Sequence, residues 1–257
     1  MSTAHNAPPE PTLWPMAWAL PQGVHAVCST RHGGVSPPPF DGFNLGDHVQ
    51  DDPVVVATNR AIFQTQLGGA KPIFLTQVHG TRVLSLDSTS TDGAEADACL
   101  TRTPKLACTI MVADCLPLLF TDDRGQVVAA AHAGWRGLAQ GVIEETVQAV
   151  CAAAQVQPSQ VLAWLGPCIG PEAFEVGQDV KEALKSPSHF KPHPLNAHKW
   201  LADLAGIARA RLGAMGVRSI SGNDSTRAWC TVSQPSTLFS YRRDGRTGRF
   251  AASIWRS

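Results

Sequence analysis

The stretch Ala113–Gly137, ADCLPLLFTDDRGQVVAAAHAGWRG, sets the framework for the rest of the chain. Two apolar runs flank the polar segment Thr121-Asp122-Asp123-Arg124-Gly125. Two β-like runs around an Asp/Gly turn predict a hairpin or a close strand pair. Such a pair brings Cys115, ahead of the first run, and His132, closing the second, to one end of a sheet. A thiol and an imidazole meeting at strand ends are either two metal donors or a nucleophile with its base.

The rest of the chain supplies alternating strand and helix signals. Val24 to Thr30 reads as a strand ending at Arg31-His32-Gly33-Gly34, and SPPPFDGFNLG as a packed loop or a binding-site wall. Asp51-Asp52-Pro53 opens a helix running to about Leu67 and stopped by Gly68-Gly69. Ile73 to Val78 reads as a strand ending at His79-Gly80, with Val83 to Leu86 as its hairpin partner. Residues 87 to 97 read as an acidic surface loop, and Leu106 to Val112 as a buried strand that delivers Asp114 and Cys115.

Apolar residues at Leu138, Val142, Val147, Val150 and Ala154 have helical spacing despite Gly141. A strand is expected over Val161 to Leu165, a short helix near Gln178 to Lys185, and no regular structure over 186–196. Asn196 is the expected cap of a helix to about Leu212, followed by a β-like stretch near Ser219 and a final strand, Phe250 to Trp255. Interleaved but not strictly alternating elements point to an α/β chain of α+β type, one domain of mixed sheets flanked by helices. Residues 1 to 12 are expected to be a loose tail and 13–257 the domain.

Composition narrows the class. The 257 residues are 44% hydrophobic, enough to bury a substantial core. With 21 basic and 21 acidic side chains, no global field favours nucleic acid or an anionic membrane. Seven cysteines, mostly in apolar runs, fit reduced thiols in a cytoplasmic protein better than a secreted disulfide scaffold. The absence of basic residues before Arg31 argues against a secretory leader, and no apolar run approaches the roughly 20 residues of a membrane helix. Neither a GxGxxG after a strand nor a P-loop is present.

Three strand ends carry reactive groups: His79 in TQVHG, Cys115 in ADCLPL and His132 in AAHAGWRG. Two imidazoles and a thiolate make a three-donor set for zinc with a fourth position open, and Asp114 or a backbone carbonyl is the expected orienting group behind them. Singly, a cysteine after an apolar strand is usually inert core and a histidine after three alanines a satisfied buried one; together they mark a candidate site. Arg31, Arg136, Arg242 and Arg243 lie next to turn glycines and are candidates for gripping an anion.

At these residues the chain resembles a known family. TRHGGVS (30–36), FNLGDHVQDDPVVVATNR (43–60), TQVHG (76–80), ADCLPL (113–118), AAHAGWRG (130–137), GPCIGPEAFEVG (166–177) and FSYRRDGRTGR (239–249) resemble the YfiH-type laccase-domain family. Its members were first called polyphenol oxidases and are now described as purine nucleoside phosphorylases. The resemblance implies zinc held by His79, Cys115 and His132. It also implies phosphorolysis of adenosine, inosine, guanosine and S-methyl-5′-thioadenosine, with adenosine deamination. Cys168 and Glu172-Ala173 depart from the family pattern without touching the triad.

Within that reading Arg31 is the expected phosphate group, Asn44 the ribose or base contact, and Arg136 a further substrate contact. The expected partners are purine nucleosides and inorganic phosphate, with the chain a monomer or small homo-oligomer. Three rival readings stay open. A copper-dependent phenol oxidase suits the donor types. A Cys–His hydrolase would use Cys115 as nucleophile and His132 as base. A non-catalytic quality-control partner in cell-wall precursor metabolism is the third.

Overall fold

The apolar runs become strands buried on both faces, which is why they read as continuous rather than alternating hydrophobic segments. The computed structural model describes residues 10–257. In chain order the elements are β1 (Val24–Cys28), α1 (Pro53–Gln66), β2 (Lys71–Phe74), β3 (Val83–Leu86), β4 (Ala98–Thr101) and β5 (Leu106–Val112). Then come β6 (Leu116–Asp122), β7 (Val128–Ala133), α2 (Trp135–Gln140), α3 (Val142–Ala154), β8 (Val161–Leu165) and β9 (Glu175–Val176). The chain closes with α4 (Gln178–Leu184), β10 (Phe190–His193), β11 (Asn196–Ala202), α5 (Leu204–Ala214), β12 (Ser219–Gly222), α6 (Tyr241–Asp244) and β13 (Phe250–Arg256).

Two mixed sheets stack face to face. One has the order β1-β13-β5-β2, the other β12-β8-β6-β7-β4-β3. Cys108, Ile110 and Val112 of β5 meet Leu119 of β6, Val128 and Ala130 of β7 and Trp164 of β8 between them. The opposite face of the larger sheet, through Leu118, Phe120, Ala129 and Ala131, packs on α3 and α5. The opposite face of the smaller sheet, through Ala107, Met111 and Ala251, packs on Phe63 and Leu67 at α1. The result is a helix–sheet–sheet–helix stack, an α/β fold of mixed sheets flanked by helices as expected from the sequence. Among the described residues no helix is long and apolar enough to cross a membrane.

Several local expectations are corrected. Val83–Leu86 is not the hairpin partner of the preceding strand: β2 runs parallel to β5 in one sheet, and β3 runs parallel to β4 in the other. The segment between them crosses from sheet to sheet, and His79 sits in it with φ +63° rather than at a strand end. The helix after Gly134 is two helices, because Gly141, at φ +101°, closes α2 and opens α3. Residues 186–196 are not irregular throughout: β10 pairs with β11 in a three-stranded sheet of order β10-β11-β9. Pro192 is tolerated there because β10 is an edge strand with one neighbour. Asn196 opens β11 rather than a helix, and α5 starts only after Asp203, whose carboxylate accepts from Gly206 N at 2.8 Å. The expected tail lies outside the described residues over 1–9, whereas Thr12 is anchored, its carbonyl accepting from Thr30 N at 3.1 Å.

The β6–β7 hairpin is fixed by a buried charge. Asp122, fully enclosed, accepts backbone hydrogen bonds from Gln126 (2.7 Å), Val127 (2.8 Å) and Arg124 (3.1 Å). Removing it leaves the buried Val127 N–H without a partner. Asp122→Ala is expected to lower stability by about 2–4 kcal/mol, read as a shifted urea midpoint at unchanged m-value.

Candidate metal centre

Antiparallel pairing sets the first two groups. Pro117 lies opposite His132 and Leu116 opposite Ala133, so Cys115, one residue before β6, arrives beside Gly134 and next to His132. Gly134 is needed there: a Cβ at that position would stand 2.6 Å from His79 Cδ2 and 3.0 Å from Cys115 Sγ. His79 comes from the crossover between the sheets, with its Nε2 3.8 Å from Cys115 Sγ. The His79 and His132 rings meet edge to face, centroids 4.8 Å apart. All three donor atoms lie within 4.8 Å of one another.

One carboxylate holds this arrangement, and it is not Asp114. Asp97, fully buried, accepts from His132 Nδ1 at 2.7 Å and from three successive backbone N–H groups: Val78 (3.1 Å), His79 (2.8 Å) and Gly80 (2.7 Å). The β4–β7 ladder, carried one step past Ala98↔Ala131, puts Asp97 opposite His132, whose N–H bonds Asp97 O at 2.7 Å. Bonding through Nδ1 leaves His132 Nε2 as the nitrogen available to a ligand. Asp114 instead accepts from Thr231 Oγ1 (2.5 Å) and Arg242 N (2.6 Å), anchoring the 231–242 segment.

Burial alone would push the Cys115 thiol up and His132 down. The two groups' mutual attraction, with Asp97 behind His132 and His79 beside the sulfur, reverses both: Cys115 falls to about 6 and His132 rises to about 9. Asp97 stays below the ordinary carboxylate range, because the bonds from His132, Gly80 and Val78 outweigh its burial. In the metal-free site each group thus favours the charged form of the other.

A thiolate and two imidazoles suit zinc or copper, and tetrahedral zinc distances place such donors about 3.3–3.6 Å apart. The 3.8 Å Cys115–His79 spacing is close to that. The donor set fits a resident metal ion.

The triad opens into a cavity of about 330 Å³ whose wall includes His48, Met111, Tyr241 and Arg249. The expected substrate contacts lie elsewhere. Arg31 is spent on Asp41 and on the carbonyls of Asp41 and Pro235. Arg136 is exposed and rests over the Trp135 ring at 4.4 Å. Asn44 is fully buried and structural, its Oδ1 accepting from Gly46 N and Arg249 N, both at 2.9 Å. Gln77, on the cavity wall, is likewise committed, clamping Met111 N and O at 2.8 Å each.

Sequence reasoning missed Asp97, Arg249, His48 and Tyr241. Asp97 had a signal: it sits between two alanines at the end of a polar loop, directly before the apolar run that forms β4. Arg249 had a weaker one, as the last residue before the final strand.

A family model described as "Multi-copper polyphenol oxidoreductase laccase" matches residues 25–257. The chain belongs to this family. The YfiH-type resemblance read from the motifs is borne out by similar proteins. One from Escherichia coli K12, named purine nucleoside phosphorylase YfiH, is 48% identical over 244 residues, 93% of this chain and 96% of that relative. One from Haemophilus influenzae, named purine nucleoside phosphorylase, is 46% identical over the same length and shares. The crystal structure of a Neisseria meningitidis protein, 42% identical, matches with TM-score 0.86 over 97% of this chain and 100% of that one. YlmD from Geobacillus stearothermophilus, 30% identical, matches with TM-score 0.83 over 91% and 92%.

Two outcomes test this laccase-family site. Asp97→Asn is expected to weaken binding of added Zn²⁺ by about 10–100-fold in competition with a chromophoric chelator, at unchanged far-UV circular dichroism. In metal-free protein, iodoacetamide should alkylate Cys115 at a rate that falls only as pH drops below about 6. His132→Ala should move that profile upward by removing the positive partner.

Proposed function

We propose that this protein is a zinc-dependent purine nucleoside phosphorylase, with residues 13–257 as its catalytic domain. Its substrates are adenosine, inosine, guanosine and S-methyl-5′-thioadenosine, and adenosine deamination is a second activity. The observation that carries this reading is the His79–Cys115–His132 donor set at the wall of a nucleoside-sized cavity. Its support is the 46–48% identity to proteins named for that activity. About 330 Å³ lies at the lower end of the range of small-molecule sites.

When bound, zinc would supply a Lewis acid beside the substrate, with a coordination position left open by the three protein donors. The chain's own groups do the rest. Asp97 fixes the His132 ring and, through three backbone N–H groups, the loop that carries His79. Tyr241 offers an aromatic face against which a purine can rest. Phosphorolysis then needs an oxyanion held against the anomeric carbon. A phosphate oxygen forms the new bond to C1′ as the C1′–N9 electron pair departs with the purine, which takes up a proton. The products are ribose 1-phosphate, or its 5-methylthio analogue, and the free base. Positive charge in a water-poor cavity favours both the bound anion and the departing base.

One observation favours a second reading. Cys115, His132 and Asp97 form a nucleophile–base–orienter series with a lowered thiol pKa, the arrangement of a cysteine hydrolase. That reading requires turnover that survives metal removal and a covalent adduct on Cys115.

Metal content and adenosine turnover, measured together on wild type and Cys115→Ala with and without phosphate, decide between the two. The expected result is about one zinc per chain and phosphate-dependent release of adenine, both lost in the variant. Inosine would report the deaminase activity separately. Full turnover by metal-free wild type would overturn the zinc reading and leave the cysteine nucleophile.

A further inference from the structure

We propose that Arg249, joined by His48 and Tyr241, forms a phosphate-binding subsite at the mouth of the metal cavity. This rests on the phosphorylase reading for its role in turnover, but as a binding site it stands on its own geometry.

Three observations support it. First, position: Arg249, His48 and Tyr241 line the cavity that holds the triad and also an adjoining outer cleft of about 390 Å³. They mark the junction of the two spaces, where a ligand seated against the triad would present its outer end.

Second, the arginine is held from two sides. Its backbone N–H donates to Oδ1 of the buried Asn44 at 2.9 Å. Asn44 is itself held by Gly46 N and by Asp51 Oδ2. The side-chain stem lies against Gly46, where an added Cβ would stand 2.7 Å from Arg249 Cγ. Asn44, the expected ribose contact, thus acts as a positioning residue for Arg249.

Third, one edge of the guanidinium has no hydrogen-bond partner among the described residues. Nη1 donates to the carbonyls of Thr247 (2.9 Å) and Gly248 (3.0 Å), while Nε and Nη2 have no hydrogen-bond partner among the described residues. No carboxylate there forms an ion pair with it. Arg31, Arg60 and Arg243 are instead paired, with Asp41, with Asp47 and Asp92, and with Asp244. Arg242 and Arg246 form no ion pair among the described residues either, but both are exposed and neither lines the metal cavity. An Nε/Nη2 edge on a half-buried arginine matches two oxygens of a phosphate. His48 and Tyr241 add a ring nitrogen and a phenol at the same junction.

The phosphate can be free or carried by a nucleotide, and the test separates the two. Zinc-loaded full-length wild type, Arg249→Met and Arg249→Lys are titrated calorimetrically with inorganic phosphate and, separately, with AMP. KM for phosphate and for inosine are measured alongside. For free phosphate, Arg249→Met should lose at least about tenfold in phosphate affinity and raise KM for phosphate equally, with KM for inosine changed less than about threefold. Arg249→Lys, with the charge but without the fork, should fall between. A loss confined to AMP would assign the subsite to a phosphorylated substrate. If wild type binds phosphate and Arg249→Met loses it, yet no base is released, the subsite stands and the phosphorylase reading fails. Wild-type binding of neither ligand, or equal binding by wild type and Arg249→Met, would overturn the proposal.

Discussion

The Asp97 carboxylate is fully buried and accepts four hydrogen bonds, three from successive N–H groups of Val78, His79 and Gly80 and one from the His132 ring. An unpartnered carboxylate in that position would be strongly disfavoured, and four donors together compensate its loss of water. The same contacts tie the crossover loop carrying His79 to strand β7 carrying His132. A single buried charge therefore sets the distance between two donors that come from separate parts of the fold, and fixes which nitrogen of His132 faces the site.

The stacked sheets explain why the site is where it is. Strands buried on both faces have little freedom to shift register, since a one-residue slip would turn every side chain to the opposite layer. Asp122 closes the β6–β7 hairpin at its far end, so Cys115 reaches Gly134 at the near end. Small residues allow the close approach: Gly134 makes room for the His79 ring and the Cys115 sulfur. Gly137 lets α2 come against the Gly80 carbonyl, which would stand 2.9 Å from a Cβ there.

Electrostatics then grade the cavity from inside to outside. At its base lie Cys115 and His132, each favouring the charged form of the other against burial. A metal held by His79, Cys115 and His132 would need the sulfur deprotonated and both rings neutral, the form in which all three donate. Farther out lies Arg249, whose charge is opposed by burial and supported by Cys115 and Asp114. The cavity thus has a mutually compensating pair of charges at its base and the positive charge of Arg249, beside the Tyr241 ring, at its mouth.

Legible in the sequence were the strands of the double-sided core, the Asp52-capped helix, the mixed-sheet class and the three residues of the candidate metal centre. Those signals are local: apolar run length, turn chemistry and side-chain type can be read within a few residues. The partners of those elements emerge only on packing. TQVHG reads as a strand with a neighbouring hairpin, but β2 and β3 join different sheets and His79 stands on the link between them. Asn196–Ala202 has helical apolar spacing, yet it pairs with β9 and β10 because the true cap, Asp203, comes later. Asp97, not Asp114, supports the imidazole, and Arg249, not Arg31, lines the cavity. The reason is common to all: a carboxylate or guanidinium is assigned by what stands across from it after packing, and residues 97 and 132, or 44 and 249, become neighbours only when the sheets close.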